Sequence, residues 1–85
     1  MDVMIEWERR KDLPTQLQRM RRLVGYSQRL LAEKSGVSLR MIQQYEQGVR
    51  DINKATGINL LALARTLGCR MEDLMEMRAE EEENG

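Results

Sequence analysis

The segment from residue 27 to residue 48 constrains the fold of this chain most strongly, because it carries the start and stop signals of two short helices. Ser27 is typical of a helix N-cap, where a hydroxyl oxygen accepts an N–H of the first turn. Gly36 predicts a left-handed turn, which glycine adopts without steric cost. Ser38 repeats the capping signal, and Gly48 marks the end of the second helix. We therefore expect two helices joined by a tight turn.

The apolar residues of this segment predict which sides of the helices face a core. In the second helix, Met41, Ile42 and Tyr45 recur at spacings of three to four, which indicates an inward stripe. Val37 is expected to be the buried residue of the turn. Four side chains lie off the stripe: Leu39, Arg40, Gln43 and Gln44. The layout is typical of a helix-turn-helix, whose second helix enters the DNA major groove, and it also fits an ordinary helical hairpin in a core.

The rest of the chain predicts three further helices and no sheet, so the expected fold is an all-α domain of five helices. The first helix is expected over residues 14–24, with these residues facing inward: Leu17, Met20, Leu23 and Val24. The fourth is expected over residues 55–67, with these residues near helical spacing: Ile58, Leu61, Ala62, Arg65 and Leu67. The fifth is expected to start near residue 71, and its apolar residues are Leu74, Met75 and Met77.

The length of the chain limits it to one small domain, because 85 residues cannot support a second core. We assign residues 14–78 to this domain, residues 1–13 to an N-terminal arm or extension, and residues 79–85 to an acidic tail. The arm contains Trp7 and other apolar residues that are expected to pack against a surface.

Eight residues of the helix pair form a tighter pattern than a generic hairpin requires: Gln28, Ala32, Gly36, Val37, Ser38, Ile42, Glu46 and Gly48. This pattern resembles the lambda-repressor-like (Cro-type, XRE) helix-turn-helix family. The resemblance covers roughly residues 15–76, which is most of the chain. The small Ala32 stands where that family lets its two helices cross closely.

The resemblance implies which residues would contact DNA. Those at the base-reading positions are Leu39, Arg40, Gln43 and Gln44. Arginine suits guanine O6 and N7, and glutamine suits adenine N6 and N7. Leu39 departs from the polar residue often found at its position and can offer only an apolar contact to a thymine methyl. The alternative for Arg40 is a solvated surface arginine.

The resemblance also implies contacts to the phosphate backbone, at the helix N-termini and around the loop after the second helix of the pair. The residues at those positions are Ser27, Gln28, Ser38, Gln47, Arg50 and Lys54. Gln28 is also expected to brace the first recognition residue. Arg21 and Glu46 match a family pair in which an arginine of the first helix bonds a glutamate near the end of the third. This structural ion pair is expected to be partly buried.

The formal net charge of zero conceals a strong segregation of charge along the chain. Residues 1–8 carry −3, residues 9–70 carry +9, and residues 71–85 carry −6. The basic body suits an anionic partner such as double-stranded DNA. The acidic tail is expected to be a solvated helix end, and it is also compatible with repelling DNA or docking on a basic partner.

Composition argues against an enzyme, a cofactor or a metal centre. The chain has no histidine, which removes the commonest metal ligand and general base. Cys69 is the single cysteine, so it cannot form an internal disulfide, and we expect a small core residue in a cytoplasmic protein. No glycine-rich phosphate loop, long apolar run or signal-peptide core is found, so neither membrane insertion nor secretion is expected.

These observations favour a sequence-specific transcriptional regulator, in particular a repressor that acts as a homodimer on a near-palindromic site. The dimer contact is expected at the methionines of the fifth helix or at the Trp7 segment. The alternative is an antitoxin-type module, whose methionine-rich fifth helix and acidic tail would hold a basic toxin partner and which also regulates its own operon. No C-terminal sensor domain is evident, which keeps this option open. A degenerate domain that has lost DNA binding is a third, weaker option.

Overall fold

The computed structural model describes residues 13–76, which form four α-helices and two 3-10 turns, with no β-strand in that range. The helices are α1 (Gln16–Val24), α2 (Gln28–Ser35), α3 (Leu39–Gln47) and α4 (Gly57–Leu67). The 3-10 turns are Ile52–Lys54 and Met71–Leu74. The all-α class is therefore confirmed, whereas the expected count of five helices is wrong for the described residues.

The expected fifth helix is the short 3-10 turn at Met71–Leu74. Asp73 accepts the backbone N–H of Arg70 at 2.9 Å and so caps the turn, and Met75 already has an extended backbone. Leu74 is fully buried, and the turn packs on α1 and α4. One turn is enough to bury Leu74 and to pack Met71 against the core, so the packing does not require a longer helix.

Each helix begins after a hydroxyl residue whose side-chain oxygen accepts a first-turn N–H, and these caps are Thr15, Ser27, Ser38 and Thr56. Because Thr56 is a cap and Ala55 is still extended, α4 begins at Gly57 rather than at the predicted residue 55. Gly36 and Gly48 follow α2 and α3 with φ of 79° and 78°. Both glycines adopt the left-handed conformation that ends a helix without steric cost.

The core is a single cluster of apolar side chains drawn from all four helices and both turns. It consists of Leu17, Leu31, Val37, Ile42, Tyr45, Ile52, Leu60, Leu63, Ala64, Leu67 and Leu74. Met41 and Cys69 are half-buried and pack against this cluster. Val37 is buried in the turn between α2 and α3, as the sequence predicts. The cluster holds α2 against both α3 and α4, and this sets the position of α3 on the molecule.

Four apolar residues that the sequence placed near the core are exposed: Leu23, Val24, Ile58 and Leu61. In α1, the charged Arg21 takes an inward position, and Leu23 on the opposite side is 80% exposed. In α4, the inward stripe consists of Leu60, Leu63, Ala64 and Leu67. This stripe turns Ile58, Leu61 and Arg65 outward, and Ile58 is 81% exposed.

The last described residue is tied to the start of α1. The Gln16 N–H donates to Glu76 Oε2 at 2.6 Å, which places a carboxylate at a helix N-terminus. Asn53 binds the backbone of Glu76 twice, since its Nδ2 donates to the carbonyl at 2.7 Å and its Oδ1 accepts the N–H at 2.8 Å. Asn53, which precedes α4 in the sequence, and Glu76, which follows it, are therefore joined to each other, and Glu76 is joined to the N-terminus of α1.

Several sequence predictions lie outside the described residues. They concern the arm up to residue 12, including Trp7, and the chain after residue 76, including Met77 and the acidic tail at 79–85. Within residues 13–76, no helix has the length and apolar character needed to cross a lipid bilayer.

Candidate nucleic-acid interface

One side of α3 faces away from the protein body. Ile42, Tyr45 and Glu46 are buried and define its inner side. The other side carries Leu39, Arg40, Gln43, Gln44 and Gln47. Arg40 and Gln47 are exposed, and the other three are partly exposed. All four residues predicted to read bases therefore share one accessible side of one helix.

The two serines that open α2 and α3 are both exposed. Ser27 Oγ accepts the Leu30 N–H at 3.0 Å, and Ser38 Oγ accepts the Met41 N–H at 3.1 Å. The N-terminal turns of both helices are thus accessible, and such turns favour anionic groups through their N–H groups and the helix dipole. The contact of either serine with phosphate stays a prediction.

Gln28 is the first residue of α2 and contacts α3, and its predicted contact with phosphate stays a prediction. It is half-buried, and its Nε2 donates to Glu46 Oε1 at 3.0 Å. The sequence suggested that Gln28 braces Leu39, the first residue of α3, but the brace reaches Glu46 near the other end of the helix. A leucine side chain has no polar atom to receive such a bond, whereas the Glu46 carboxylate has two oxygens.

Arg21 and Glu46 form a bidentate ion pair inside the protein. Arg21 Nε lies 2.6 Å from Glu46 Oε2, and Nη2 lies 2.9 Å from Oε1. Arg21 Nη1 also donates to the carbonyl oxygen of Tyr26 at 2.9 Å. The hydrogen bond to Glu46 raises the pKa of Arg21, although burial opposes this effect. The pair connects α1, the turn before α2, and α3, so it fixes α3 against the body.

Arg50 reaches back from the loop after α3 to the outward side of that helix. Its Nε donates to Gln44 Oε1 at 2.9 Å. The backbone carbonyl of Gln44 also accepts the N–H groups of Val49 at 3.0 Å and Arg50 at 3.1 Å. Side chain and backbone together hold the exposed Arg50 beside a residue that the sequence assigned to base reading.

A surface groove runs from α3 to the first turn of α4. Its lining includes Met41, Gln44, Arg50, Lys54 and Asn59. Lys54 is exposed at the end of the first 3-10 turn. The structure therefore brings Arg50 and Lys54 to the same groove as Gln44, while Gln47 is exposed at the last residue of α3.

The charges of the described residues favour an anionic partner. Residues 13–76 hold ten lysines and arginines against six acids, a net charge of +4. Three of the cations, Arg40, Arg50 and Lys54, are exposed on α3 or on the loop that follows it. Within the same range no group of His, Cys, Asp or Glu side chains is arranged to hold a metal ion.

A sequence profile of the helix-turn-helix family matches residues 17–74, which include all four helices except the first residue of α1. The chain belongs to the lambda-repressor-like (XRE) helix-turn-helix family. It is a DNA-binding helix-turn-helix protein, as the resemblance of its residues predicts. No curated protein and no solved structure gives a significant match.

Two features of this site were not anticipated from the sequence. Gln28 completes the buried polar cluster around Glu46, and Arg50 is bonded to Gln44. Both contacts join residues that are separated along the chain by a turn or by a whole helix, so no periodic pattern marks them. The second contact could have been inferred only from the position of Arg50, a cation six residues after Gln44 and just beyond Gly48, the glycine that ends α3.

Proposed function

We propose that this protein is a sequence-specific transcriptional regulator that inserts α3 into the DNA major groove and represses the genes it binds. The observation that carries the proposal is the rigid presentation of α3. Its inner side is fixed by the buried Arg21–Glu46 pair, while polar side chains occupy its accessible side. A helix held in this way can enter a major groove without rearrangement.

The proposed roles of the outward residues follow from their chemistry. Arg40 is exposed near the N-terminal end of α3, where side chains of a recognition helix reach base edges, and its guanidinium suits guanine. Gln43 and Gln44 follow on the same side, and Leu39 contributes an apolar contact. The exposed residues around the helix ends, Ser27, Ser38, Gln47, Arg50 and Lys54, are assigned to phosphate, which fixes the register of the helix.

The proposed form on DNA is a homodimer. One domain of this size presents few base-reading side chains, and two copies on half-sites about 34–36 Å apart would double the contacts. Exposed apolar residues suited to self-association lie on α4, at Ile58 and Leu61, and beyond the second 3-10 turn, at Met75. Sedimentation of the protein alone and on DNA tests this form, and a monomer under both conditions would contradict it.

The antitoxin alternative relies on the methionine-rich end of the chain and on the acidic tail. Met71 is half-buried against the core and Leu74 is fully buried, so this end presents less apolar surface than the sequence suggests. We therefore place DNA regulation first and propose that the protein acts by binding rather than by catalysis.

The deciding experiment is selection of bound duplexes from a random pool at fixed salt, followed by binding titrations on the selected site. The variant carrying both Arg40→Ala and Gln44→Ala is expected to lose sequence discrimination, since each specific base contact contributes about 1–3 kcal/mol. Arg70→Ala is the matched control, because it removes an exposed arginine that immediately precedes the second 3-10 turn and is not assigned to DNA. Enrichment of no sequence, or unchanged discrimination in the double variant, would contradict the proposal.

A selected site placed over a promoter in a reporter strain tests the direction of regulation. We expect expression to fall when the protein is present and to recover with the double variant. A rise in expression would indicate activation and would contradict the repressor role alone.

A further inference from the structure

Gln44 is the only base-reading residue assigned to α3 whose side chain the described structure holds by a hydrogen bond to another side chain. The partner is Arg50, and the Nε–Oε1 distance is 2.9 Å. We propose that Arg50 is a positioning residue that orients the amide of Gln44 and so determines which bases Gln44 can read. This inference rests on the proposed function and deepens it.

The orientation of the amide follows from the chemistry of the pair. An arginine side chain carries five N–H donors and no acceptor, so it can face only the oxygen of the Gln44 amide. The side-chain NH₂ group of Gln44, with two donors, is then directed away from Arg50. An unrestrained glutamine can rotate its amide by half a turn and present either atom, but Gln44 in this structure presents donors.

Arg50 is itself held in place, so the orientation of Gln44 does not depend on a freely moving side chain. Gly48, with φ of 78°, turns the chain back at the end of α3. The N–H groups of Val49 and Arg50 then donate to the carbonyl oxygen of Gln44 at 3.0 and 3.1 Å. The backbone of Arg50 is thereby tied to the same residue that its side chain orients.

The bases that fit this arrangement present acceptors. The usual pairing of glutamine with adenine uses the amide oxygen to accept from N6 and the amide NH₂ to donate to N7. Here an adenine N6 amino group approaching Oε1 would meet the Arg50 guanidinium, which is a donor and carries positive charge. Guanine presents N7 and O6, and thymine presents O4, all of which accept hydrogen bonds. Gln44 therefore reads guanine or thymine in preference to adenine.

Arg50 also links this reading to the DNA backbone. It retains four N–H donors beyond the one that Gln44 uses, and it lies with Lys54 on the groove beside α3. A phosphate bound by those donors would hold the guanidinium, and through it the amide, in the reading position. Loss of Arg50 is thus expected to change base preference as well as affinity.

The test begins with selection of duplexes from a random pool by four proteins: the natural chain, Gln44→Ala, Arg50→Ala and Arg50→Lys. The position whose preference disappears in Gln44→Ala is the one that Gln44 reads. At that position the natural chain is expected to select guanine or thymine, and Arg50→Ala is expected to gain adenine. Arg50→Lys, which can still donate one hydrogen bond to Oε1, is expected to lie between them.

Titrations on two duplexes that differ only at this position make the result quantitative. For the natural chain we expect binding at least about 5-fold tighter to the preferred base than to adenine, the lower end of base discrimination by one good contact. Arg50→Ala is expected to reduce that ratio below about 2-fold or to invert it. Where guanine is preferred, replacing its N7 by C–H is expected to weaken the natural chain more than Arg50→Ala. Thermal unfolding checks that each variant is folded, as the exposure of Arg50 leads us to expect.

The control for a role of Arg50 in phosphate binding alone is Lys54→Ala, which is expected to weaken both duplexes by the same factor. If Arg50→Ala behaves like Lys54→Ala and leaves the base preference unchanged, the positioning role is wrong while the proposed function stands. Selection of adenine by the natural chain at this position would have the same meaning. If the natural chain enriches no sequence, the proposed function fails and this inference fails with it.

Discussion

At the scale of single residues, Glu46 organises the helix pair. Its carboxylate accepts hydrogen bonds from Arg21 and Gln28, which belong to the other two helices of the N-terminal half. A buried charge is costly unless it is paired and hydrogen-bonded, and here both oxygens have partners. The pairing of Arg21 with Glu46 could be inferred from matching positions in a family pattern. The contact of Gln28 could not, because it depends on how α2 and α3 cross.

Removal of either member of this pair is expected to destabilise the fold strongly. Arg21→Ala leaves the Glu46 carboxylate buried without its cation, and breaking a buried pair costs about 3–5 kcal/mol. Urea unfolding followed by circular dichroism measures the loss in the free energy of unfolding. Arg70→Ala is the control, since its ion pairs at 3.8 and 3.9 Å are exposed and such pairs contribute about 0–1 kcal/mol. Equal losses in the two variants would contradict the assigned role of Arg21.

The reactivity of Cys69 provides a second residue-scale prediction. Burial, and to a lesser extent the Asp73 carboxylate, raise the pKa of the thiol. The folded protein therefore holds less of the reactive thiolate than the unfolded chain at the same pH. The raised pKa also links the stability of the fold to pH. The stability that it contributes is fully present below the pKa of the thiol in the unfolded chain and is lost as pH rises through the pKa of the thiol in the folded protein.

Alkylation of Cys69 by iodoacetamide at pH 8 is expected to be slower in the folded protein than in urea. Asp73→Asn keeps an oxygen to accept the Arg70 N–H but removes the charge, so it should accelerate alkylation by a smaller factor than unfolding does. Mass spectrometry follows the reaction, and equal rates for the folded and unfolded chains would refute the expectation.

At the scale of elements, local chemistry predicted where the helices of the pair begin and end better than apolar spacing predicted which sides of α1 and α4 are buried. The caps at Ser27 and Ser38 act on neighbouring residues, so the sequence alone indicates them. The orientation of α4 depends on what packs against it. Its inward stripe starts at Leu60, and Ile58, which is equally apolar, is exposed. The prediction of a fifth helix was wrong because it too depended on packing: a single turn is enough to bury Leu74.

Replacing either of two glycines by alanine is expected to change the free energy of unfolding, in opposite directions for the two positions. Gly57 lies in the first turn of α4 with ordinary φ and open space for a Cβ, so Gly57→Ala should stabilise the protein by about 0.4–1 kcal/mol. Gly48 also has open space, but its φ is 78°, where an L-residue is strained by about 1–2 kcal/mol. Gly48→Ala should therefore destabilise the protein.

Urea unfolding of both variants measures this contrast, and each serves as the control for the other. Stabilisation by both substitutions would show that the left-handed turn after α3 is not required. Destabilisation by both would show that Gly57 has a packing role that its open surroundings do not reveal.

At the scale of the whole molecule, the sequence predicted which segment is basic, but it did not predict how the loop after α3 is arranged beside that helix. The basic body was evident from residues 9–70, and the described residues keep a net charge of +4. What could not be predicted is how the loop after α3 folds back, so that Arg50 and Lys54 share a groove with Gln44. That arrangement depends on Gly48, on the 3-10 turn and on the anchoring of Asn53 to Glu76.

The salt dependence of binding can count the copies of the protein on DNA. The slope of log K against log salt is about −0.9 for each phosphate contact on duplex DNA. If Lys54 binds one phosphate in each copy, as proposed, Lys54→Ala should make the slope shallower by about 0.9 for a monomer and by about 1.8 for a symmetric dimer. We expect the larger change, measured on a duplex that holds one full selected site. Arg70→Ala, which removes the same charge just before the second 3-10 turn, should leave the slope unchanged. A change near 0.9 would contradict the dimer and argue for one copy per site. No change would contradict the assignment of Lys54 to a phosphate contact.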